Sequence, residues 1–246
     1  AEQLVYLVAD AEEAFWQVPL SPQERRFYCA LLRKPDGGTR FLVFTRTAQG
    51  SKGGPLSWAQ IFALVNRCVF GVLKSRITPD SNRMQVYVDD PIVAILGTPD
   101  VTRRQAALAI LTWTLLGIKL AVKKGQFGHE VQWIGAKFTA VEGGVEATIT
   151  ASRLKDLLEL AVEIQSSNLV SVKKLRSFTG KAQSMASLLY LWRPFVHMLY
   201  AAIETCATGT APPGHRWTKQ IIQPLAWITA FLRGTQGDLV RHYSLD

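Results

Sequence analysis

The feature that most constrains this chain is a change of hydrophobic period near Thr150. Upstream, apolar residues fall in short runs of strand length, at residues 4–9, 27–33, 40–45, 84–88, 92–96, 131–138 and 145–149. Downstream they recur at helical spacing. Leu154, Leu157, Leu158 and Ala161 mark a helix over 152–164, and Leu175, Phe178, Ala182, Met185 and Leu189 another over 171–189. Helical spacing continues over 193–206 and, beyond the Pro212-Pro213-Gly214 linker, over 217–232. Strand side chains alternate faces and helical ones return every 3.6 residues, so the two patterns require different partners. Strands first and helices later predict an α+β fold with a helical C-terminal part. The strand region is interrupted by a helical turn over 12–17, stopped by Pro19, and by two helices. One, over 57–74, carries Ile61, Leu64, Val65, Val69 and Leu73; the other, over 101–116, is capped by Gly117. Pro35-Asp36-Gly37-Gly38 between two strand runs is a hairpin signal.

With 246 residues, 48% of them hydrophobic, the chain can bury one large core or two smaller ones. No uninterrupted apolar run reaches the ~18–20 residues of a membrane span. The longest, 106–116, is broken by Thr112 and Thr114, and no signal peptide pattern opens the chain. These features predict an intracellular protein, neither secreted nor a membrane partner. Ala1-Glu2-Gln3 runs straight into a strand, which reads as the boundary of a fragment. Cys29, Cys68 and Cys206 form no CxxC pair, so they predict core thiols in a reducing compartment rather than disulfides or a zinc site. The net charge of +9 favours a polyanionic partner. That charge is spread over pairs such as Arg103-Arg104 and Lys173-Lys174, as suits folded elements tracking a phosphate backbone.

Three acidic residues stand apart. Asp10 ends an apolar strand run, and Asp89 and Asp90 lie between two more, in Tyr87-Val88-Asp89-Asp90-Pro91. If the strand ending at Asp10 lies beside this hairpin, Asp10 and Asp89 come together on one face. Clustered carboxylates bind hard divalent ions, which are completed by substrate phosphate oxygens. Asp10-Ala11-Glu12-Glu13 also reads as a helix capping box. The glycine-rich segment Gly50-Ser51-Lys52-Gly53-Gly54 lacks the spacing of a phosphate-binding P-loop.

In order and spacing these residues resemble retroelement reverse transcriptases. Asp10-Ala11-Glu12-Glu13-Ala14-Phe15 with Val18-Pro19-Leu20 resembles their first motif. Gln49-Gly50 with Gly54-Pro55-Leu56-Ser57 resembles the second, and Tyr87-Val88-Asp89-Asp90 the third. Gly117-Ile118-Lys119-Leu120 with Lys123-Lys124 is similar to the fourth, and Trp133-Ile134-Gly135 to the fifth. Lys174-Leu175-Arg176-Ser177-Phe178-Thr179-Gly180 resembles the start of the thumb.

The resemblance implies a right-hand polymerase. Residues 1–149 would be an antiparallel palm with helices and partial fingers, 150–206 a helical thumb, and 207–246 a linker and the start of a connection or RNase H-proximal region. It implies RNA-directed DNA synthesis on an RNA or DNA template with a primer, using dNTPs and two Mg²⁺ ions that Mn²⁺ can replace. Asp10, Asp89 and Asp90 would be catalytic metal ligands, and Lys124 a proton donor to pyrophosphate. Phe15, Gln49, Gly50 and Tyr87 would bind substrate, with Phe15 under the sugar. Trp133 and Gly135 would form the primer grip.

The chain departs from the family pattern at Pro91, where an aliphatic residue is usual; proline cannot donate a ladder hydrogen bond. An RNA-dependent RNA polymerase is the first rival, but Phe15 and Val88 argue against it. The second is a domesticated, inactive relative that only binds nucleic acid. A full aromatic ring at Phe15 against C2′ of the incoming sugar excludes a 2′-hydroxyl by collision. Phe15→Val is therefore expected to lower the ratio of kcat/KM for dNTP over rNTP by at least about tenfold, or ~1.4 kcal/mol. An unchanged ratio would make Phe15 an ordinary packing residue.

Overall fold

The computed structural model describes residues 2–74, 82–204, 211–234 and 239–244. The chain is mixed α+β with antiparallel sheets and divides into two compact units, Ala1–Ile134 and Gly135–Asp246. Each has its own core.

In the first unit, strand β1 (Gln3–Val8) is followed by the exposed hairpin β2 (Cys29–Arg33) and β3 (Thr39–Val43). Helix α1 (Gly54–Leu73), strands β4 (Asn82–Tyr87) and β5 (Asp90–Gly97), helix α2 (Pro99–Leu115), and strands β6 (Gln126–Gly128) and β7 (Glu130–Trp133) complete it. Its main sheet has the order β4-β5-β1-β6 and is antiparallel throughout. Val5, Leu7, Val93 and Ile95 of this sheet, Trp58, Phe62, Val65, Val69 and Leu73 of α1, and Ala106, Ala109 and Trp113 of α2 make one core. Buried Asn66 fits there because both ends of its amide are satisfied: it donates to Phe62 O (2.8 Å) and accepts from the Trp113 indole (2.8 Å).

The buried face of α1 keeps Val65, Val69 and Leu73 of the expected set but not the other two. Ile61 and Leu64 are exposed, and Trp58 and Phe62, stacked at 4.7 Å, take the inside. By length and composition α1 is also apolar enough to cross a membrane. Gln60, Asn66 and Arg67 break the stretch, so its length as an apolar helix does not show as a run in the sequence.

The second unit holds strands β8 (Ala136–Val141) and β9 (Gly144–Ile149), helix α3 (Ala151–Gln165), strand β10 (Leu169–Ser171), and helices α4 (Val172–Ala186) and α5 (Arg193–Glu204). Strand β11 (His215–Trp217), helix α6 (Ile222–Leu232) and strand β12 (Val240–Ser244) follow. The strand pair 136–149, expected with the N-terminal part, lies in this unit, as do the described residues of 207–246. Leu225 and Ile228 of α6 share a core with Leu157, Leu175, Phe178, Val196 and Leu199. Ser171 caps α4 by accepting from Lys174 N (3.2 Å). Arg216 reaches the end of α5, donating to Ala202 O and Ile203 O (both 2.9 Å), carbonyls that a helix end leaves without intrahelical partners.

Three further expectations change. The run 131–138 is interrupted at Ile134-Gly135, where both residues take positive φ (44° and 80°). The capping box does not form: Glu13 precedes the short 3-10 turn Ala14–Gln17 with φ 49°, and no side chain caps it. Cys29 and Cys68 are exposed rather than core thiols, and Cys206 lies outside the described residues. Residues 207–210 of the expected linker lie outside them as well.

Candidate active site

The site forms where β1 and β5 end. Their antiparallel register, from Gln3↔Gly97 to Val8↔Ile92, continues for two residues and sets Asp10 opposite Asp90. Two backbone bonds flank that pair, Ala9 N–H to Pro91 O (3.1 Å) and Ala11 N–H to Asp89 O (3.0 Å). In such a pair the side chains lie on the same face at close quarters. Thus Asp90, more directly than Asp89, is the cross-strand neighbour of Asp10. Asp89 sits in the two-residue turn with Val88, closed by Tyr87↔Asp90. The departure at Pro91 leaves this register intact: Pro91 pairs with Val86 and its carbonyl still accepts from Ala9.

A third segment docks on Asp10. Glu12 N–H donates to Lys119 O (2.9 Å), Ala121 N–H donates to Asp10 O (2.8 Å), and Ala11 bridges Leu120. Gln17 pins the same strip, donating to Glu12 O and Lys119 O and accepting from Lys119 N. Lys124 thereby reaches Asp10, with Nζ 2.8 Å from Oδ2. The Asp10 side chain is only 17% exposed, so the pair is partly shielded from water.

The electrostatics follow from this crowding. Burial, the charges of Asp89 and Asp10, and a hydrogen bond with Asp10 push the Asp90 carboxyl from 3.8 up to about 6, against the pull of Lys124. The hydrogen bond and charge of Asp10 raise Lys124 above its ordinary value. Among the described residues no group of three His, Cys, Asp or Glu side chains is already gathered as a metal cage. The donor chemistry nevertheless fits a hard cation: only carboxylate oxygens are offered, and their mutual repulsion is what a dication relieves.

The hairpin tip is strained and braced. Val88 has φ 55°, a region that β-branched residues avoid and where a two-residue turn of this kind calls for glycine. The indole N–H of buried Trp58 donates to Val88 O (2.9 Å), and that of Trp133 donates to Asp90 O (2.9 Å). Two tryptophans therefore grip the backbone on either side of Asp89. Trp58 was not among the expected site residues; only its place on the inner face of α1 could have signalled it.

The other expected residues are placed as follows. Phe15 is half-buried, packed against the core of the first unit. Gln49 and Gly50 are the exposed centre of a turn closed by Ser51 N–H to Ala48 O (3.1 Å); Gly50 has φ 87°, as the third position of a type II turn requires. Tyr87 is 57% exposed beside the carboxylates. Gly135, in the second unit, has the Arg153 guanidinium packed where a side chain would stand. No protein-family model matches this chain, and no curated protein matches it either.

Two measurements probe this geometry. The strain at Val88 costs ~1–3 kcal/mol by the usual scale for such backbone. Glycine gives back ~0.5–1 kcal/mol of that in chain entropy. Val88→Gly should therefore raise the unfolding free energy in urea by up to ~2.5 kcal/mol, and a value below the parent's would remove strain from the account. The second concerns Asp90. Its folded pKa lies above the unfolded one, so the folded state holds the proton more tightly and stability falls as pH rises from about 4 to about 6. Asp90→Asn should melt higher than the parent near neutral pH, with the gap closing below about pH 4. A gap that widens in acid has the wrong sign.

Proposed function

We propose that this chain is the polymerase core of an RNA-directed DNA polymerase of retroelement type, transferring deoxynucleotides to a primer 3′-hydroxyl under the direction of an RNA or DNA template. The observation that carries the reading is the meeting of Asp10, Asp89, Asp90 and Lys124, drawn from three distant segments, at one strained hairpin. Residues of the first, third and fourth resembling motifs meet there, and Trp133 of the fifth donates to Asp90 O.

On this reading Asp10, Asp89 and Asp90 hold two Mg²⁺ ions, or Mn²⁺ in their place. Such ions, when bound, activate the attacking hydroxyl and offset charge on the leaving pyrophosphate. The protein's own contribution is position. Trp58 and Trp133 fix the carbonyls on either side of Asp89, so the backbone that carries its carboxylate is held in place. Lys124 keeps its proton on Nζ beside Asp10 and must part from that carboxylate before donating to pyrophosphate. Phe15 presents a ring edge to the sugar, the Gln49-Gly50 turn and Tyr87 meet the nucleotide, and Trp133 and Gly135 steady the primer end. The antiparallel first unit would be the palm, with the β2–β3 hairpin as its share of the fingers, and the helices of the second unit the thumb.

One observation favours a second reading, a nucleic-acid-binding relative without catalysis: Lys124 already neutralises one oxygen of Asp10. Asp89→Asn separates the two. It removes a charged ligand without altering shape, so Mg²⁺-dependent primer extension should fall by several powers of ten, each worth ~1.4 kcal/mol, while circular dichroism stays unchanged. Activity above about a tenth of the parent's would sink the catalytic assignment.

A further inference from the structure

The second unit carries a charged cluster that the carboxylate site does not use. The short turn Tyr190–Trp192 buries Trp192 and leaves Tyr190 half exposed, and α5 begins at once with exposed Arg193. On β12, Arg241 and Tyr243 share one face by strand alternation, opposite Ala147 and Val145 in the register. His242 points the other way and meets Glu146 at 3.4 Å.

The guanidinium of Arg193 lies 4.2 Å from the centre of the Tyr190 ring. That of Arg241 lies 4.1 Å from the same ring and 4.7 Å from the ring of Tyr243. Two cations thus share one phenol. Among the described residues neither has a carboxylate partner. A hydrogen bond with Arg241 first, then its charge and that of Arg193, draw the Tyr190 phenol below its ordinary pKa, against the effect of burial.

Like charges held together at a surface repel unless an anion joins them. Arg193 Nε donates to Ala186 O (3.4 Å) and Arg241 hydrogen-bonds to Tyr190, and the remaining in-plane N–H donors of each stacked guanidinium form a fork that matches phosphate oxygens. The start of α5 at Arg193, a helix of 12 residues, adds the positive end of a helix dipole. We propose that Arg193 and Arg241, held in place by Tyr190 and Tyr243, form a clamp in the second unit for the phosphodiester backbone of a nucleic acid. The clamp is independent of the carboxylates and of catalysis.

The ordering favours nucleic acid over an anionic membrane, because mobile lysines and arginines suffice for a fluid lipid surface. The same unit also offers Lys173 and Lys181 on α4 without carboxylate partners among the described residues, whereas Lys174 is taken by Glu163 and Arg176 approaches Glu204 at 3.7 Å.

The test is fluorescence anisotropy with a labelled single strand and a labelled duplex, titrated between about 50 and 200 mM salt. Arg193→Gln/Arg241→Gln should weaken duplex binding at least tenfold near physiological salt. It should also flatten the log–log salt slope by about 1.8, since each lost phosphate contact retains ~0.9 of a counterion. Arg193→Gln alone, at an exposed position, should give about half that change and guards against a folding defect in the double variant. Arg67→Gln/Lys74→Gln, an equal loss of charge on exposed residues of α1 and its C-terminal end, should leave the slope near the parent's. Equal weakening by this control would reduce the effect to net charge and overturn the clamp. So would an unchanged slope in the double variant, or the loss of binding to phosphatidylserine vesicles with nucleic-acid binding intact. The clamp is read by binding and the catalytic assignment by primer extension, so failure of the one and failure of the other are separate results.

Discussion

Two backbone hydrogen bonds, from Ala9 to Pro91 and from Ala11 to Asp89, close β1 against β5 where both strands end, and the chemistry of the first unit depends on that closure. A slip of one residue would turn Asp10 to the opposite face from Asp90. The buried sheet face forbids the slip, because Val5 and Leu7 would leave the core they share with Val93 and Ile95. Hydrophobic burial thus sets the register, and the register sets the carboxylates side by side. Burial first and then their mutual repulsion raise the pKa of Asp90, a cost that the core carries.

Strain is concentrated at the same place. Of the three non-glycine residues with positive φ among those described, Val88 and Ile134 are β-branched, and both adjoin expected site residues, Asp89 in one case and Trp133 and Gly135 in the other. Such backbone persists only where its surroundings over-determine it. At Val88 the determinants are the closing pair Tyr87↔Asp90 and the two indole donors. Trp58 is buried, so its bond to Val88 is shielded from competing water, and core packing is transmitted directly to the turn that carries Asp89.

Local pattern was readable in the sequence wherever one physical rule acted alone. The runs 84–88 and 92–96 became β4 and β5, and the helical periods after Thr150 became α3, α4 and α5, because alternation or a 3.6 period sufficed. Places where tertiary contacts overrode local preference were not readable. Ile134-Gly135 lacks the Asn or Asp usual in a tight reversal, so the break in 131–138 was invisible. The inner face of α1 was legible at Val65, Val69 and Leu73 but not beyond them, because apolar residues surround the helix and only packing selects Trp58 and Phe62 over Ile61 and Leu64. At the site, Asp10, Asp89 and Asp90 were legible as a group, but not that Asp10 faces Asp90, which needs the register. Nor was the ion pair between Lys124 and Asp10, residues joined only by the docking of 119–121.

Charge is arranged against its own energetics in both units. The first crowds Asp10, Asp89 and Asp90 on a chain of net charge +9, with Lys124 the cation that reaches Asp10. The second crowds Arg193 and Arg241 on one phenol, with its neighbouring acid, Glu146, engaged by His242 instead. Neither arrangement is what stability alone selects, since swapping a single charge would relieve each. A cluster of like charge held by a rigid scaffold is tolerable where a ligand of opposite sign completes it, a cation for the carboxylates and a phosphate for the guanidiniums. Nucleic-acid synthesis brings both signs to one protein, as metal ions and as phosphate. It is the proposed function under which neither cluster is left as an unexplained cost.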